Sequence, residues 1–197
     1  MSRFGVSVCA LIGALVASPV LAETPTVFNE YVFDGTNLRC YIDPEPLEGA
    51  TQEQMRDATV RQCLNFGQLH IYMTRSDAEA LLPPAEGDGV MFKGILHYTY
   101  VYVMNQEAAG YYVIGYYDDF IVSLQATGRE VQPPAQFSSV GLGTSTEEIR
   151  KRFGPPDIVR PVAELHGEEW IYGSFSFIVI EPIGVYSIRV VAPEMSQ

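Results

Sequence analysis

Basic side chains, histidine, cysteine and tryptophan are all scarce in this 197-residue chain: 12 Lys plus Arg, three His, three Cys and one Trp. Set against 24 Asp plus Glu, the formal charge is −12, which disfavours nucleic acid and anionic membrane surfaces as partners. His70, His97 and His166 lie far apart, so no metal-ligand spacing arises, and each reads as a surface or packed histidine. There is no Cys-x-x-Cys, no Walker-type Gly-Lys-Ser/Thr, and no serine flanked by the glycines of a nucleophile elbow. Gly141-Leu142-Gly143 begins like a dinucleotide fingerprint, but the third glycine is missing because Thr146 stands there. These absences leave no cofactor and no metal to expect, and point away from an enzyme.

Long apolar runs are also lacking beyond the N-terminus. Arg3 precedes an apolar stretch from Val6 to Val16, followed by Val20-Leu21-Ala22 and the acidic Glu23. This is the pattern of a secretory signal cleaved after Ala22, too short and wrongly flanked for a membrane span. The sequence therefore predicts a periplasmic or secreted protein without stable membrane insertion. Loss of Arg3 with the leader makes the formal charge one unit more negative. With 47% hydrophobic residues the remainder is globular and not disordered. Cys9 falls inside the leader, so Cys40 and Cys63 are left as a pair, most simply one disulfide in an oxidising compartment.

What is present is best organised around residues 141–157, GLGTSTEEIRKRFGPPD. Ser145 followed by Glu148 is a capping box, so a helix starts here. Glu147 and Glu148 stand at the end where the helix dipole favours negative charge; Arg150, Lys151 and Arg152 stand toward the other. Ile149 and Phe153, four apart, mark the buried stripe. Gly154 closes the helix, and Pro155 and Pro156 forbid its continuation. Two to three turns are too few to be stable alone, so a sheet must cover them.

Gly143, Ser145, Glu147, Glu148, Ile149, Phe153, Gly154 and Pro156, followed by Trp170 and Tyr172, resemble the SmpA/OmlA (BamE-type) domain of bacterial envelope proteins. The resemblance covers roughly Val140 to Val191 and implies short helices packed on an antiparallel sheet. Proteins of that type are usually lipid-anchored, a feature this leader does not share.

The same pattern recurs 71 residues earlier, with Thr74 for Ser145, Asp77 for Glu148, Ala78 and Leu82 for the stripe, and Pro84 for Pro155. Downstream, YYVIGYYDDFIVSL (111–124) lies over FSFIVIEPIGVYSI (175–188), with Ser123 on Ser187. Such a repeat is similar to the tandem arrangement of the beta-lactamase inhibitory proteins, built from two similar helix-plus-sheet halves. The expected fold is thus α+β, two similar halves each with short helices on an antiparallel sheet: leader 1–22, first half with an N-terminal hairpin 23–127, linker 128–136, BamE-like second half 137–197.

In chain order, strands from Val27 to Phe33 and Leu38 to Ile42 flank Asp34-Gly35. Pro44 and Pro46 make the corner to a helix from Thr51 to about Phe66, with Met55, Ala58, Cys63 and Phe66 on one face and Gly67 as its stop. A strand runs from Ile95 to Met104. Tyr111 to Tyr117 and Phe120 to Gln125 follow, joined at Asp118-Asp119. The alternation sets Phe120, Val122 and Leu124, and later Tyr186, Ile188 and Val190, toward the core. Ser123, Gln125, Ser187 and Arg189 then face outward.

Three acidic pairs are candidates for chemistry. Asp118-Asp119 reads as a hairpin tip, Glu147-Glu148 as capping, and Glu168-Glu169 as a solvated loop. The tyrosines are the unusual feature, seven of the twelve lying between Tyr98 and Tyr117. Tyr98, Tyr100 and Tyr102 alternate along one strand, either as cross-strand packing or as an aromatic contact surface, since Tyr offers large area at low entropic cost. The expected function is a non-catalytic protein-interaction module of the cell envelope that binds a protein partner through an aromatic sheet face. Its expected contact residues are Tyr98, Tyr100, Tyr102, Asp118, Asp119 and Arg189. The alternatives are a small-ligand or glycan-binding protein and, less favoured, a hydrolase with a dispersed site.

Overall fold

The computed structural model describes residues 30–42, 49–82, 92–93, 98–103, 110–131 and 134–195, with the backbone alone for 92–93 and 98–103. The predicted leader and its cleavage site, the Pro44–Pro46 corner, His97 and Pro84 lie outside the described residues.

The chain opens with a hairpin of β1 (Glu30–Phe33) and β2 (Leu38–Tyr41), whose turn is held by the Asp34 carboxylate accepting from the amides of Thr36 and Asn37 at 2.9 and 2.8 Å. Those two bonds hold the Asp34 carboxyl below its ordinary range. Helix α1 (Gln52–Cys63) begins in a capping box between Thr51 and Gln54. A tight hairpin of β3 (Asn65–Phe66) and β4 (Leu69–His70) leads to α2 (Arg75–Leu81), capped by the Thr74 hydroxyl on the Asp77 amide. Strands β5 (Phe92–Lys93), β6 (Tyr98–Val103), β7 (Gly110–Tyr117) and β8 (Phe120–Gly128) follow.

The remaining elements follow. Hairpin β9 (Gln136–Phe137) and β10 (Val140–Gly141) precedes α3 (Thr146–Phe153), with the predicted capping box between Ser145 and Glu148 in place. Strands β11 (Ile158–Val162), β12 (Gly167–Tyr172), β13 (Phe175–Ile180) and β14 (Gly184–Val191) complete the chain, ahead of a short 3-10 turn at Pro193–Met195.

The result is a mixed α/β fold around one antiparallel sheet, in the order β11-β12-β13-β14-β8-β7-β6-β5. Six strands are fully described, and β6 and β5 extend one edge. β8 and β14, the last strands of their meanders, meet at the centre with Arg189 opposite Gln125.

One face of the sheet is the core. Tyr112 and Ile114 of β7, Leu124 and Ala126 of β8, Ile188 and Val190 of β14, and Phe175 and Phe177 of β13 are all buried and stand in register. Helix α3 lays Phe153 on the rings of Phe175 and Phe177, 5.3 and 5.2 Å between centroids. Phe66 of β3 reaches Tyr112 at 6.4 Å, while α1 and α2 add Val60, Cys63, Ala78 and Leu82 to the same core. Tyr31 of β1 joins Phe137 and Phe175 at 5.3 and 5.1 Å, and the Cys40–Cys63 disulfide ties the first hairpin to the end of α1.

Four sequence expectations need correction. Phe120 is not in the core but 44% exposed, because β8 carries a β-bulge: Ser123 pairs with Gly115 and Ile121 with Tyr116, leaving Val122 as the extra residue and turning Ile121 inward. Tyr186 is likewise an extra residue, between Ser187 on Ile178 and Val185 on Val179, so Val185 takes the core position and Tyr186 is half-buried. Helix α1 ends at Cys63 and not near Phe66, because the Asn65 amide donates to the carbonyls of Arg61 and Gln62 and closes the last turn; Val60 and Cys63 are its buried residues, and Met55 is exposed. In the segment expected to be a linker, Val131 and Ala135 are buried, and a Cβ on Gly110 would collide with the carbonyl of Glu130.

Candidate binding face

The reverse of the sheet carries the short polar residues that the alternation predicts. One row across the strands reads Tyr111, Thr127, Ser187, Ile178, Glu169, Arg160; the next reads Val113, Gln125, Arg189, Ser176, Ile171, Ile158. At the centre the Thr127 and Ser187 hydroxyls lie 2.8 Å apart. The Gln125 amide donates to both, and Ser187 also reaches the Ala126 carbonyl at 3.1 Å. This network straddles the β8–β14 seam, so the middle of the face is low, satisfied and polar.

Larger groups rise around it. Tyr117 and Phe120, opposite one another beside the β7–β8 turn, are 51% and 44% exposed, and Tyr111 is 37% exposed. Asp118 and Asp119 form the turn between Tyr117 and Phe120, both at positive φ (48° and 68°), a conformation that Asp tolerates better than most residues. Both are exposed, and the Asp119 carbonyl accepts from the Arg75 amide at 2.9 Å, which fixes the tip to the start of α2.

The tyrosine row falls elsewhere. In the β6–β7 register Tyr98, Tyr100 and Tyr102 stand opposite Tyr116, Ile114 and Tyr112, all three of which are buried in the core. The positions opposite the outward-facing Val113 and Gly115 are Val101 and Thr99. Among the residues described with side chains, the exposed aromatics of the reverse face are Tyr111, Tyr117 and Phe120. Phe120 read as core because the bulge at Val122 inverts the alternation of β8 before Ser123, whereas Tyr111 and Tyr117 follow the regular alternation of β7.

Toward the other edge lies an open groove of about 220 Å³, with Ile171 and Val191 in its lining and Met195 and Ile158 at its sides. Arg160, Glu169, Ser176 and Arg189 supply its polar groups. The Glu169 carboxylate accepts from the Ser176 hydroxyl at 3.0 Å. Neither Arg160 nor Arg189 forms an ion pair among the described residues, whereas Arg39, Arg56 and Arg75 each pair with a carboxylate. Arg189 was named from the sequence; Arg160 was not, because β11 carries no alternation of its own.

Other candidates resolve into structural roles. Glu148 caps α3, and Glu168 accepts the Trp170 indole N–H at 2.8 Å. His70 directs Nδ1 to the Ile71 carbonyl at 2.9 Å, and burial lowers its pKa; His166 is exposed on a turn. Among the described residues no three of His, Cys, Asp and Glu converge as metal ligands, and no helix is long and apolar enough to cross a membrane.

No family model and no curated protein matches the sequence. Among solved structures, the chain is similar to a cysteine-rich secretory protein of Staphylococcus aureus at 19% identity and TM-score 0.42, covering 64% of this chain and 45% of that one. It is also similar to an extracellular protein containing an SCP domain from Bacillus anthracis, at 11% identity and TM-score 0.44, covering 63% and 44%. A DUF4309 family protein of Bacillus subtilis is similar at 20% identity and TM-score 0.38, covering 60% and 78%. The match thus spans less than half the length of the first two proteins.

Proposed function

We propose that this chain is an exported, non-catalytic interaction module of the cell envelope that holds a protein partner on the reverse face of its sheet. The observation that carries the reading is the exposure of Tyr111, Tyr117 and Phe120 around a low polar centre, on the side away from the packed helices. Aromatic groups of this kind supply contact area at little entropic cost, and clustered exposed aromatics on a folded surface favour association. Asp118 and Asp119 at one end and Arg189 at the other would orient the partner. The disulfide fits an oxidising compartment.

The reading includes descent from two similar halves. In each, a tight hairpin leads through a left-handed residue, Tyr72 (φ 68°) or Gly143 (φ 84°), to a capped helix. The Tyr72 amide donates to the Ile121 carbonyl and the Ile121 amide to the Met73 carbonyl, at 2.8 and 2.9 Å. Gly143, Val185 and Thr144 repeat that pair of bonds at 2.7 and 2.9 Å. A lone helix and sheet recurring by chance would have no reason to repeat this pairing residue for residue.

The test is site-specific photo-crosslinking in the envelope. A crosslinker at Tyr117 or Tyr111 should trap one discrete partner, while the same group at Glu147 or Lys151 on exposed positions of α3 should trap none. Equal capture from both faces, or none from either, overturns the proposal.

A further inference from the structure

We infer that the groove between β11 and β14 receives an extended, carboxylate-bearing segment of the partner, gripped by Arg160 and Arg189; this rests on the sheet-face reading above and names the chemistry of what docks there. In a chain of net charge −12, two guanidiniums without ion pairs among the described residues line one groove, and Glu169, the acid between them, is engaged by the Ser176 hydroxyl. Guanidinium groups match carboxylates as two-pronged donors, and two of them lining one groove suit an acidic ligand. The spacing argues for a peptide and not for a lone small acid. Arg160 and Arg189 stand on strands three ladder steps apart, about 14 Å across the sheet at ~4.8 Å per step. Arg189 also stands two residues along from the row of Arg160, so the backbone positions are roughly 16 Å apart. Two long side chains can bring that span to carboxylates about four residues apart on an extended segment rising ~3.3 Å per residue. Between the strands of the two cations Ile171 offers apolar lining for an intervening side chain, with Val191 beyond Arg189 on β14.

The experiment is fluorescence anisotropy with a labelled extended peptide bearing two glutamates about four residues apart, against the same peptide with both replaced by glutamine. The wild-type protein should bind the glutamate peptide at least roughly tenfold more tightly, and R160Q/R189Q should bring its binding down to that of the glutamine peptide. Both arginines are exposed and form no ion pair among the described residues, so the double variant should unfold at the wild-type temperature. Equal binding of the two peptides, no measurable binding of either, or an unaltered preference in R160Q/R189Q overturns the inference. Crosslinking through Tyr117 separates this from the broader reading. If R160Q/R189Q still captures the partner with wild-type yield, the acidic-segment inference falls and the docking face stands; if wild type captures nothing, the docking face itself falls.

Discussion

Val122 and Tyr186 hold the same place in two strands: each is the unpaired residue of a bulge, one position before a serine that faces the open side of the sheet. The consequence is the same in both. Ile121 and Val185 turn into the core, while Phe120, which opens β8, is left exposed and Gly184, which opens β14, packs against the backbone of Gly143 and Thr144. A bulge adds a residue without adding a ladder partner, so it re-aims every side chain on one side of it.

That inversion gives a direct stability test. Ile121→Ala removes a fully buried side chain and should cost about 3 kcal/mol, whereas Phe120→Ala, one residue earlier and larger, should change stability by less than about 0.5 kcal/mol. Denaturant unfolding of the two variants measures this. A larger loss from Phe120→Ala would mean that the bulge is misplaced.

The seam offers a second test. Ser187→Ala removes the 2.8 Å partner of the buried Thr127 hydroxyl, which keeps only the Gln125 amide at 3.0 Å, and should cost about 1 kcal/mol. Combining it with Thr127→Val, which removes the other hydroxyl of the pair, should cost less than the sum of the two single changes. A double-mutant cycle by denaturation reads the coupling. Strict additivity would show that the two hydroxyls do not act together.

Much of this fold was legible because its signals are local. The capping boxes at Thr51 and Ser145, the Asp118-Asp119 turn, and the polarity of Ser123, Gln125, Ser187 and Arg189 each depend on residues within one turn or one strand. What was not legible depends on pairing. No run of residues announces that Val122 lacks a partner, so Phe120 read as core. The Asn65 side chain ends α1 by reaching back to carbonyls three and four residues earlier, against an apolar pattern that continues to Phe66. Arg160 became visible only when β11 was laid beside Glu169 of β12. The side of the sheet taken by Tyr98, Tyr100 and Tyr102 likewise follows from the β6–β7 register, because residues on both faces of that strand are largely apolar.

The disulfide joins segments 23 residues apart and anchors the hairpin that delivers Tyr31 to the aromatic cluster of Phe137, Phe153 and Phe175. Cys40→Ser with Cys63→Ser should lower stability by about 3 kcal/mol through the freed loop. Mass spectrometry before and after reduction should show a gain of two hydrogens. Two alkylatable thiols in the unreduced protein would remove the basis for this prediction.

Alkaline pH should unfold the protein through its tyrosines. Burial raises the Tyr172 pKa from 10.0 to about 12, while its hydroxyl donates to the Gly154 carbonyl at 3.1 Å. Burial raises Tyr31 and Tyr112 in the same direction. Tyr72 also rises to about 12, by burial and then by its hydrogen bond to the Glu194 carboxylate at 2.9 Å. Each group binds its proton more tightly folded than unfolded. The stability this contributes is therefore fully present below pH 10 and is lost as pH climbs from 10 through about 12. Tyrosinate absorbance should accordingly keep rising above pH 10, together with loss of near-ultraviolet circular dichroism as the buried rings ionise. Tyr172→Phe keeps the ring among Phe153, Phe175 and Phe177 but removes the hydroxyl. It should cost about 1 kcal/mol at neutral pH and flatten the decline above pH 10, so that the two proteins converge in stability as the base concentration rises. A single-stage titration complete near pH 10, with the fold intact, would show that these rings are not held away from water.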